Sequence, residues 1–329
     1  MKTSQDLIQP FFDPMSLEVF NETAIKIFLY QYENNQIYHK YVNCLSIQPN
    51  KIIHYSEIPF LPISFFKTHK IISGENNPVK IFKSSGTTGQ EQSCHYITDL
   101  SLYDKSLFNG FNYFYGDITE YCIVAVLPSY HKESSLIYMS SKLIEMTGRK
   151  ESGFYNDYDE VMKLLSELDE TKIKTILIGV SYALLEMAEK YSCSLNNTIV
   201  METGGMKGRK KEMIREELHS VLKNSFKINS IHSEYGMTEL LSQAYSFSNG
   251  IFRCPPWMKV LIREMNDPLN IIGANKSGGI NIIDFANLNS CSFIATDDTG
   301  FLNNDLSFEV TGRIDFSDIR GCNLLFTNK

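Results

Sequence analysis

From residue 79 to residue 236 the chain alternates short apolar, β-branched runs with amphipathic stretches, and this rhythm constrains the fold more than any other feature. VKIF precedes 100–114, YCIVAVLP precedes 133–146, and 157–169 leads into KTILIG. The series continues through 181–191, NTIVMET, 208–224 and KINSIHSEYG. Runs with so little polar alternation suit strands covered on both faces, and strand–helix alternation joins such strands in parallel. The expectation is an α/β fold of mostly parallel sheets packed with helices. After residue 250 the rhythm shifts to short strands and turns, in MKVLIREM, GGINIIDF, CSFIATDDTGFL and LSFEVTGRI. The sequence therefore predicts an α/β core over 1–250 and a small, mostly antiparallel β subdomain over 251–329. Ahead of the strands, Leu17, Phe20, Ala24, Ile27, Phe28 and Tyr30 recur at helical intervals behind Ser16, a candidate N-cap, so the core opens with a helical segment.

Charge and cysteine usage narrow the function. Lys plus Arg total 31 against 38 Asp plus Glu, a net charge of −7, which argues against a general electrostatic grip on nucleic acid or anionic lipid. Any phosphate must be held locally. The 7 cysteines are scattered singly with no C-x-x-C pair, so neither zinc spacing nor a disulfide framework is expected. The opening MKTSQDLIQPFFDP lacks the apolar stretch of a signal peptide, and no apolar run reaches membrane-spanning length. A cytoplasmic protein without membrane insertion is expected.

The first chemical signal is SSGTTGQ at 84–90, directly after VKIF. Glycines let backbone N–H groups approach an anion closely, and the hydroxyls add donors, so such a loop suits a polyphosphate. It lacks the G-x-x-x-x-G-K-[ST] spacing of a P-loop. Standing alone it also reads as a surface turn. Downstream, however, SEYGMTEL at 233–240, TDDTGFL at 296–302 and TGRID at 311–315 follow in order. Polar, glycine-containing clusters at strand ends are what a nucleotide site at the carboxyl edge of a sheet needs.

In order and spacing these segments resemble the serial motifs of the adenylate-forming superfamily of acyl-CoA ligases, peptide-synthetase adenylation domains and luciferases. SSGTTGQ is similar to that family's phosphate loop, and METGGMKGR at 201–209 stands in the place of its adenine-binding segment. YGMTE then follows. IATDDTGFL resembles the ribose-binding Thr-Gly-Asp segment, TGRIDFSDI resembles the Gly-Arg-x-Asp hinge motif, and the likeness runs over about 80–321.

The resemblance implies a site for ATP and Mg2+. Ser84, Ser85, Gly86, Thr87, Thr88 and Gly89 would wrap the phosphates, and Gly204 and Gly205 would border adenine. Tyr235, followed by Gly236, would stack on adenine, Thr238 would contact the α-phosphate, and Glu239 would help to hold Mg2+. Asp298 would accept from the ribose hydroxyls, with Asp297 the alternative because the segment reads TDD. Arg313 would contact ribose or phosphate. An aromatic face suits a purine, a carboxylate is the hard ligand Mg2+ favours, and an arginine fork suits phosphate. Singly, Tyr235 also reads as a core tyrosine, Glu239 as a helix-start carboxylate and Arg313 as a surface charge. The joint pattern points to adenylation.

IPFLPISFFKTHKI at 58–71, LPSYHKESSLIYMSSKL at 127–143 and the ending GRIDFSDIRGCNLL are similar to the acyl-protein synthetase of bacterial fatty-acid reductase complexes. That resemblance implies transfer of the acyl group from the adenylate to a C-terminal cysteine, for which Cys322 is the candidate, and then to a reductase partner. Cys322 also reads as a small buried residue on a last strand. His131, after a strand, reads either as a group orienting the acid or as a solvated loop histidine. The chain ends shortly past the hinge motif, so the family's C-terminal lid domain and its lysine are expected to be absent. Lys207, beside Arg209, is the candidate substitute for that charge. The small-molecule carboxylic acid is left open, since the aromatics of 103–115 and 60–66 suit an apolar chain and core packing equally. So is the acceptor, among an acyl-CoA reductase, an acyl carrier protein and another acyl acceptor. A stand-alone ligase to CoA or a carrier-protein thiol, and a catalytically silent scaffold subunit, are the alternative readings.

Overall fold

Alternate residues of the apolar strands feed two separate cores, and this arrangement organises the molecule. The structure, a computed structural model, describes residues 12–85, 91–129, 131–204 and 213–314. The chain opens with α1 (Leu17–Asn34), α2 (Gln36–Cys44), β1 (Leu61–Pro62), α3 (Phe65–Thr68), β2 (Lys80–Lys83), β3 (Cys94–Ile97) and α4 (Leu100–Tyr115). There follow β4 (Tyr121–Val126), α5 (Ser135–Thr147), β5 (Gly153–Phe154), α6 (Tyr158–Glu170), β6 (Lys174–Val180), α7 (Ser181–Lys190), β7 (Thr198–Thr203), α8 (Arg215–Phe226) and β8 (His232–Tyr235). Among the described residues the last stretch holds the strands β9 (Ala244–Ser246), β10 (Ile251–Arg253), β11 (Met258–Arg263), β12 (Ile271–Ile272), β13 (Ser277–Asp284), β14 (Phe293–Leu302) and β15 (Phe308–Arg313), with a 3-10 helix at Phe285–Asn289.

Local chemistry sets the helix ends. The Ser16 hydroxyl accepts from the Val19 amide at the start of α1, Asp99 does the same for Ser101 at α4, and Asp157 for Asp159 and Glu160 at α6. Gly116 ends α4 at φ 80, a left-handed conformation that glycine adopts without penalty.

Among the described residues, 13 strands form one sheet in the order β12-β11-β13-β14-β15-β10-β9-β8-β7-β6-β4-β5, with β1 beside β14. From β5 to β8 the neighbours are parallel, and at β8–β9 the direction reverses. The antiparallel strands thus continue the hydrogen-bonded ladder of the parallel ones. Along β4, Cys122, Val124 and Val126 pack with Val161, Leu184 and Leu222 of α6, α7 and α8. Ile123 and Ala125 pack in the other cluster with Leu102, Leu107 and Leu143 of α4 and α5. Side chains of a strand alternate between faces, so a strand apolar at every position is one with helices on both sides.

One strand departs from expectation. VKIF is not the first strand of the parallel series, because β2 pairs antiparallel with β3 in a separate two-stranded ribbon, Lys80 opposite Ile97 and Lys83 opposite Cys94. Only Phe82 of β2 is buried, against Tyr103 and Tyr138, so the ribbon is covered on one face. Four residues with a single covered side chain cannot serve as a two-faced central strand.

Candidate active site

The parallel strands β4, β6, β7 and β8 end at Val126, Val180, Thr203 and Tyr235; SEYGMTEL begins in β8 and runs past its end, whereas Ser84 and Ser85 follow the ribbon strand β2, TDDTGFL lies within β14 and Thr311–Arg313 within β15, which corrects the expectation that all four clusters stand at strand ends. At β8–β9 the ladder passes from parallel to antiparallel, so the chain turns back just beyond the carboxyl end of β8.

The last two residues of β8 point to opposite faces. Tyr235 lies on the face of Phe252 and Phe308, its ring centroid 5.8 and 5.5 Å from theirs. Its hydroxyl donates to Asp298 Oδ2 at 2.8 Å, and Arg313, the register partner of Asp298 across β14–β15, places Nε 3.3 Å from Oδ1. Burial and then the Asp298 charge push the Tyr235 phenol well above its ordinary pKa. Burial also raises the Asp298 carboxyl, an effect opposed by the Tyr235 hydroxyl and the Arg313 charge. Glu234, on the other face, shares register positions with Thr203 and Tyr245 and accepts from the Thr203 hydroxyl at 2.5 Å. Burial lifts its pKa to about 7.

The chain leaves β8 through Gly236, where a β-carbon would collide with Glu234 Oε1. Glycine lets the turn run on to Glu239. Glu239 is buried, its carboxyl raised by that burial and drawn back down by the Ser93 hydroxyl and the Arg313 charge. Ser93 in turn holds the stem of the segment 84–90: its amide donates to Ser84 Oγ at 2.9 Å, and its carbonyl accepts from the Ser84 amide at 3.0 Å. His95 of β3 ties the ribbon to the same turn, with Nδ1 2.9 Å from the Thr238 carbonyl and Nε2 2.8 Å from Ser290 Oγ. Burial lowers its pKa to about 4, so the ring is neutral at pH 7. A carbonyl only accepts, hence Nδ1 carries the proton and Nε2 accepts from Ser290.

A buried network supports this turn from beneath. Asp284 accepts from the amides of Leu241, Ser242 and Ala286 and from the Ser242 hydroxyl, and Asn287 donates to the Glu239 carbonyl at 2.7 Å. Gln31 of α1 donates to the carbonyls of Asn287 and Leu288 and accepts from the Ser292 amide. Fully satisfied buried networks hold one geometry. The N-terminal helix therefore positions Glu239 across 208 residues of sequence, from 31 to 239.

The structure brings Ser84, Tyr235, Gly236, Thr238, Glu239, Asp298 and Arg313 into this one chain of contacts. Ser85 is exposed at the stem. His131 is exposed in the segment after β4, which docks on the stem where the Lys83 amide donates to the Glu133 carbonyl at 2.8 Å. Gly204 is exposed at φ 72, its carbonyl 2.5 Å from Ser181 Oγ. Gly86, Thr87, Thr88, Gly89, Gly205, Lys207 and Cys322 lie outside the described residues. Of the aromatics in the two rich stretches, Phe60, Phe66, Tyr103 and Phe111 are core side chains. Ser93, His95 and Glu234 were not among the residues the sequence marked, although Glu234 stands inside the quoted SEYGMTEL.

Among the described residues no three His, Cys, Asp or Glu side chains gather to hold a metal. Glu239 is a single hard anionic ligand. It fits Mg2+, which takes one or two carboxylates and completes its octahedron with phosphate oxygens and water. Among the described residues no helix is long and apolar enough to cross a membrane.

No known family matches this sequence, and no curated protein does. Solved structures do match its fold. A structure of 2-hydroxyisobutyryl-CoA ligase in an open conformation, in complex with 2-HIB-AMP and CoA, gives a TM-score of 0.67 over 96% of this chain and 74% of that one, at 10% identity. ATP-bound MatB from Rhodopseudomonas palustris gives 0.56 over 73% of this chain and 49% of that one, at 15% identity. The luciferase-like enzyme of the nonluminescent mealworm Zophobas morio gives 0.52 over 74% and 59%, at 15% identity. The chain thus spans about half the length of MatB. The likeness is one of fold, and the fold is that of the adenylate-forming enzymes.

Proposed function

We propose that this chain uses ATP to activate a carboxylic acid and then hands the acyl group to a thiol. The single observation that carries the reading is the gathering of two contact paths at the sheet edge, joined by the Arg313 charge acting on Glu239. One runs from the loop stem through Ser84, Ser93 and Glu239, and the other from Tyr235 through Asp298 to Arg313. Triphosphate, metal and nucleoside ligands need those groups side by side. The match in fold to structures solved with ATP and with an acyl-AMP supports the same reading.

In this reading a carboxylate oxygen of the acid attacks the α-phosphorus, the bond to the β-phosphate oxygen breaks, and pyrophosphate leaves. The acid is already nucleophilic, so the protein contributes alignment and charge compensation. Tyr235, braced by Phe252 and Phe308, stacks on adenine, and Asp298 takes the ribose hydroxyls. Thr238 turns its hydroxyl to the α-phosphate, and Arg313 supplies a cation to ribose or phosphate. Ser84, Ser85 and the segment 86–89 cradle the phosphates, with Gly204 and Gly205 beside the base and Lys207 lending charge. His131 orients the acid. Mg2+ bound at Glu239 would supply neutralisation of the departing pyrophosphate's charge. The adenylate is then attacked by a thiolate, releasing AMP and leaving a thioester. Cys322 is the proposed acceptor, with a fatty acid as the acid and an acyl-CoA reductase or acyl carrier protein as the onward partner. Those finer assignments rest on the sequence resemblance alone.

ATP–pyrophosphate exchange over a panel of carboxylic acids tests the reading. Exchange should need both acid and Mg2+, and Glu239→Ala should lower it by about 100-fold or more. Exchange that is absent for every acid, or indifferent to Glu239→Ala, would overturn it. Mass spectrometry after incubation with ATP and acid separates the acceptors, since an adduct on Cys322 supports self-acylation and a soluble thioester supports transfer to CoA or a carrier.

A further inference from the structure

Arg215 opens α8 and has no part in adenylation as proposed, yet its side chain is only 30% exposed and joins β7 to β10 and β15, strands separated from it in the sheet by β8 and β9. Its Nε lies 3.4 Å from Glu202 Oε1 on β7, and a guanidinium nitrogen donates to the Val310 carbonyl of β15 at 3.4 Å. Its Cζ lies 5.3 Å from the centre of the Phe252 ring on β10. The turn before β10 leaves room for it, because a β-carbon at Gly250 would come within 2.8 Å of Arg215 Cδ. An arginine suits this place, since its planar fork pairs with a carboxylate, donates to a carbonyl and lies over an aromatic ring at once.

Glu202 anchors the arginine. It is 7% exposed, and the Ser181 hydroxyl donates to its Oε2 at 2.9 Å. Burial works against its charge, but His219, the Arg215 cation and the Ser181 hydroxyl together outweigh burial and hold its pKa below the ordinary glutamate value. Glu202 is the register partner of Ser233 across β7–β8, and Tyr235 stands two residues further along β8, so strand alternation puts Glu202 on the Tyr235 face. From Arg215 the contacts lead to both limbs of the nucleoside set. One passes through Phe252 to Tyr235, whose ring centres are 5.8 Å apart, and the other through Val310 along β15 to Arg313. His131, proposed to orient the acid, follows β4, two strands beyond β7 in the sheet.

Resting on the adenylation reading, we propose that Arg215 is a positioning residue for the nucleoside: anchored by Glu202, it holds β10 and β15 to the end of β7 and thereby fixes the Tyr235 ring and the Arg313 side chain for ATP. Side chains fixed in advance need no ordering when the ligand arrives, so loosening them is read as weaker binding. The affinity for ATP then depends on Arg215, and the affinity for the acid does not.

The test uses the full chain with Arg215→Met, which removes the fork, and Arg215→Lys, which keeps a cation. ATP binding is read by calorimetry without acid, and pyrophosphate exchange is read with ATP and acid varied in turn. Arg215→Met should weaken ATP binding and raise the KM for ATP by about tenfold, with the KM for the acid and the rate at saturating ATP within about twofold of wild type. Arg215→Lys should recover part of the ATP affinity, and it carries the same comparison if Arg215→Met does not fold. Glu202→Gln should weaken ATP binding as well, and adding it to Arg215→Met should change little, because the two act as one unit. Unchanged ATP affinity in the folded variants overturns the proposal, as does a rate at saturating ATP that falls as far as the KM rises. Equal losses for ATP and acid would mark a general structural role and overturn it too. No exchange with any acid, alongside ATP binding that weakens in Arg215→Met, would sink adenylation while leaving the positioning role standing; a wild type that binds no ATP would sink both.

Discussion

Tyr235 and Glu234 are neighbours in one strand, yet their settings are opposite. Tyr235 reaches a carboxylate that already has a cation, so the Tyr235–Asp298–Arg313 set is electrostatically complete before any ligand arrives. Glu234 has one hydroxyl donor and, among the described residues, no cation. Strand alternation alone separates the two by putting consecutive side chains on opposite faces. A face whose charges are mutually satisfied can present a rigid surface to a base and ribose.

The largest effect that sharpens this contrast is in pH dependence. Folding raises the Glu234 pKa from the ordinary glutamate value to about 7, so the native state holds that proton more tightly than the unfolded chain. The stability it contributes is complete below the unfolded pKa and is lost as pH rises through about 7. Glu234→Gln should therefore gain on wild type by about 3 kcal/mol between pH 4 and pH 8, read by urea unfolding. Thr203 of β7, Tyr245 of β9 and Tyr103 and Tyr115 of α4 are on its side, Glu202 of β7 acts on it by charge from the opposite face, and none of the tyrosines ionises in that range. A difference that stays flat with pH would mean Glu234 is compensated like its neighbour.

A smaller effect belongs to the Tyr235 face. Tyr235→Phe keeps the ring packing and removes one donor from a buried carboxylate, which should lower stability by about 1–2 kcal/mol. The loss should be the same from pH 6 to pH 8, because the phenol is pushed well above that range. The smallest effect is expected at Arg313, whose side chain is 76% exposed. Arg313→Ala should shift stability by less than about 1 kcal/mol, as exposed pairs do, while raising the KM for ATP. A large stability loss with unchanged KM would recast Arg313 as a structural partner of Asp298.

What the sequence revealed, and what it hid, follows from how far each interaction reaches along the chain. The parallel strands β4 and β6 were legible because helices cover both faces and leave an apolar run, whereas β7 and β8, with Glu202 and with His232, Ser233 and Glu234, were legible from their place in the strand–helix rhythm. β2 was not, since VKIF has the same composition while only Phe82 is covered. The polar clusters were legible as local strings, and so was their order. Their support was not, because Gln31 and Asn287 meet across 256 positions and Asp284 and Ser242 across 42, with no periodicity to mark them. Glu234 was in plain sight inside SEYGMTEL but was given no role, and only the face it shares with Thr203 and Tyr245 distinguishes it from a strand-end carboxylate.

A crystal structure with a non-hydrolysable acyl-adenylate analogue tests the placing of the nucleotide at the end of β8 most directly. The account predicts the adenosine against Tyr235 and Asp298 and the phosphate mimic beside Glu239 and Thr238. Adenosine bound anywhere else would contradict it.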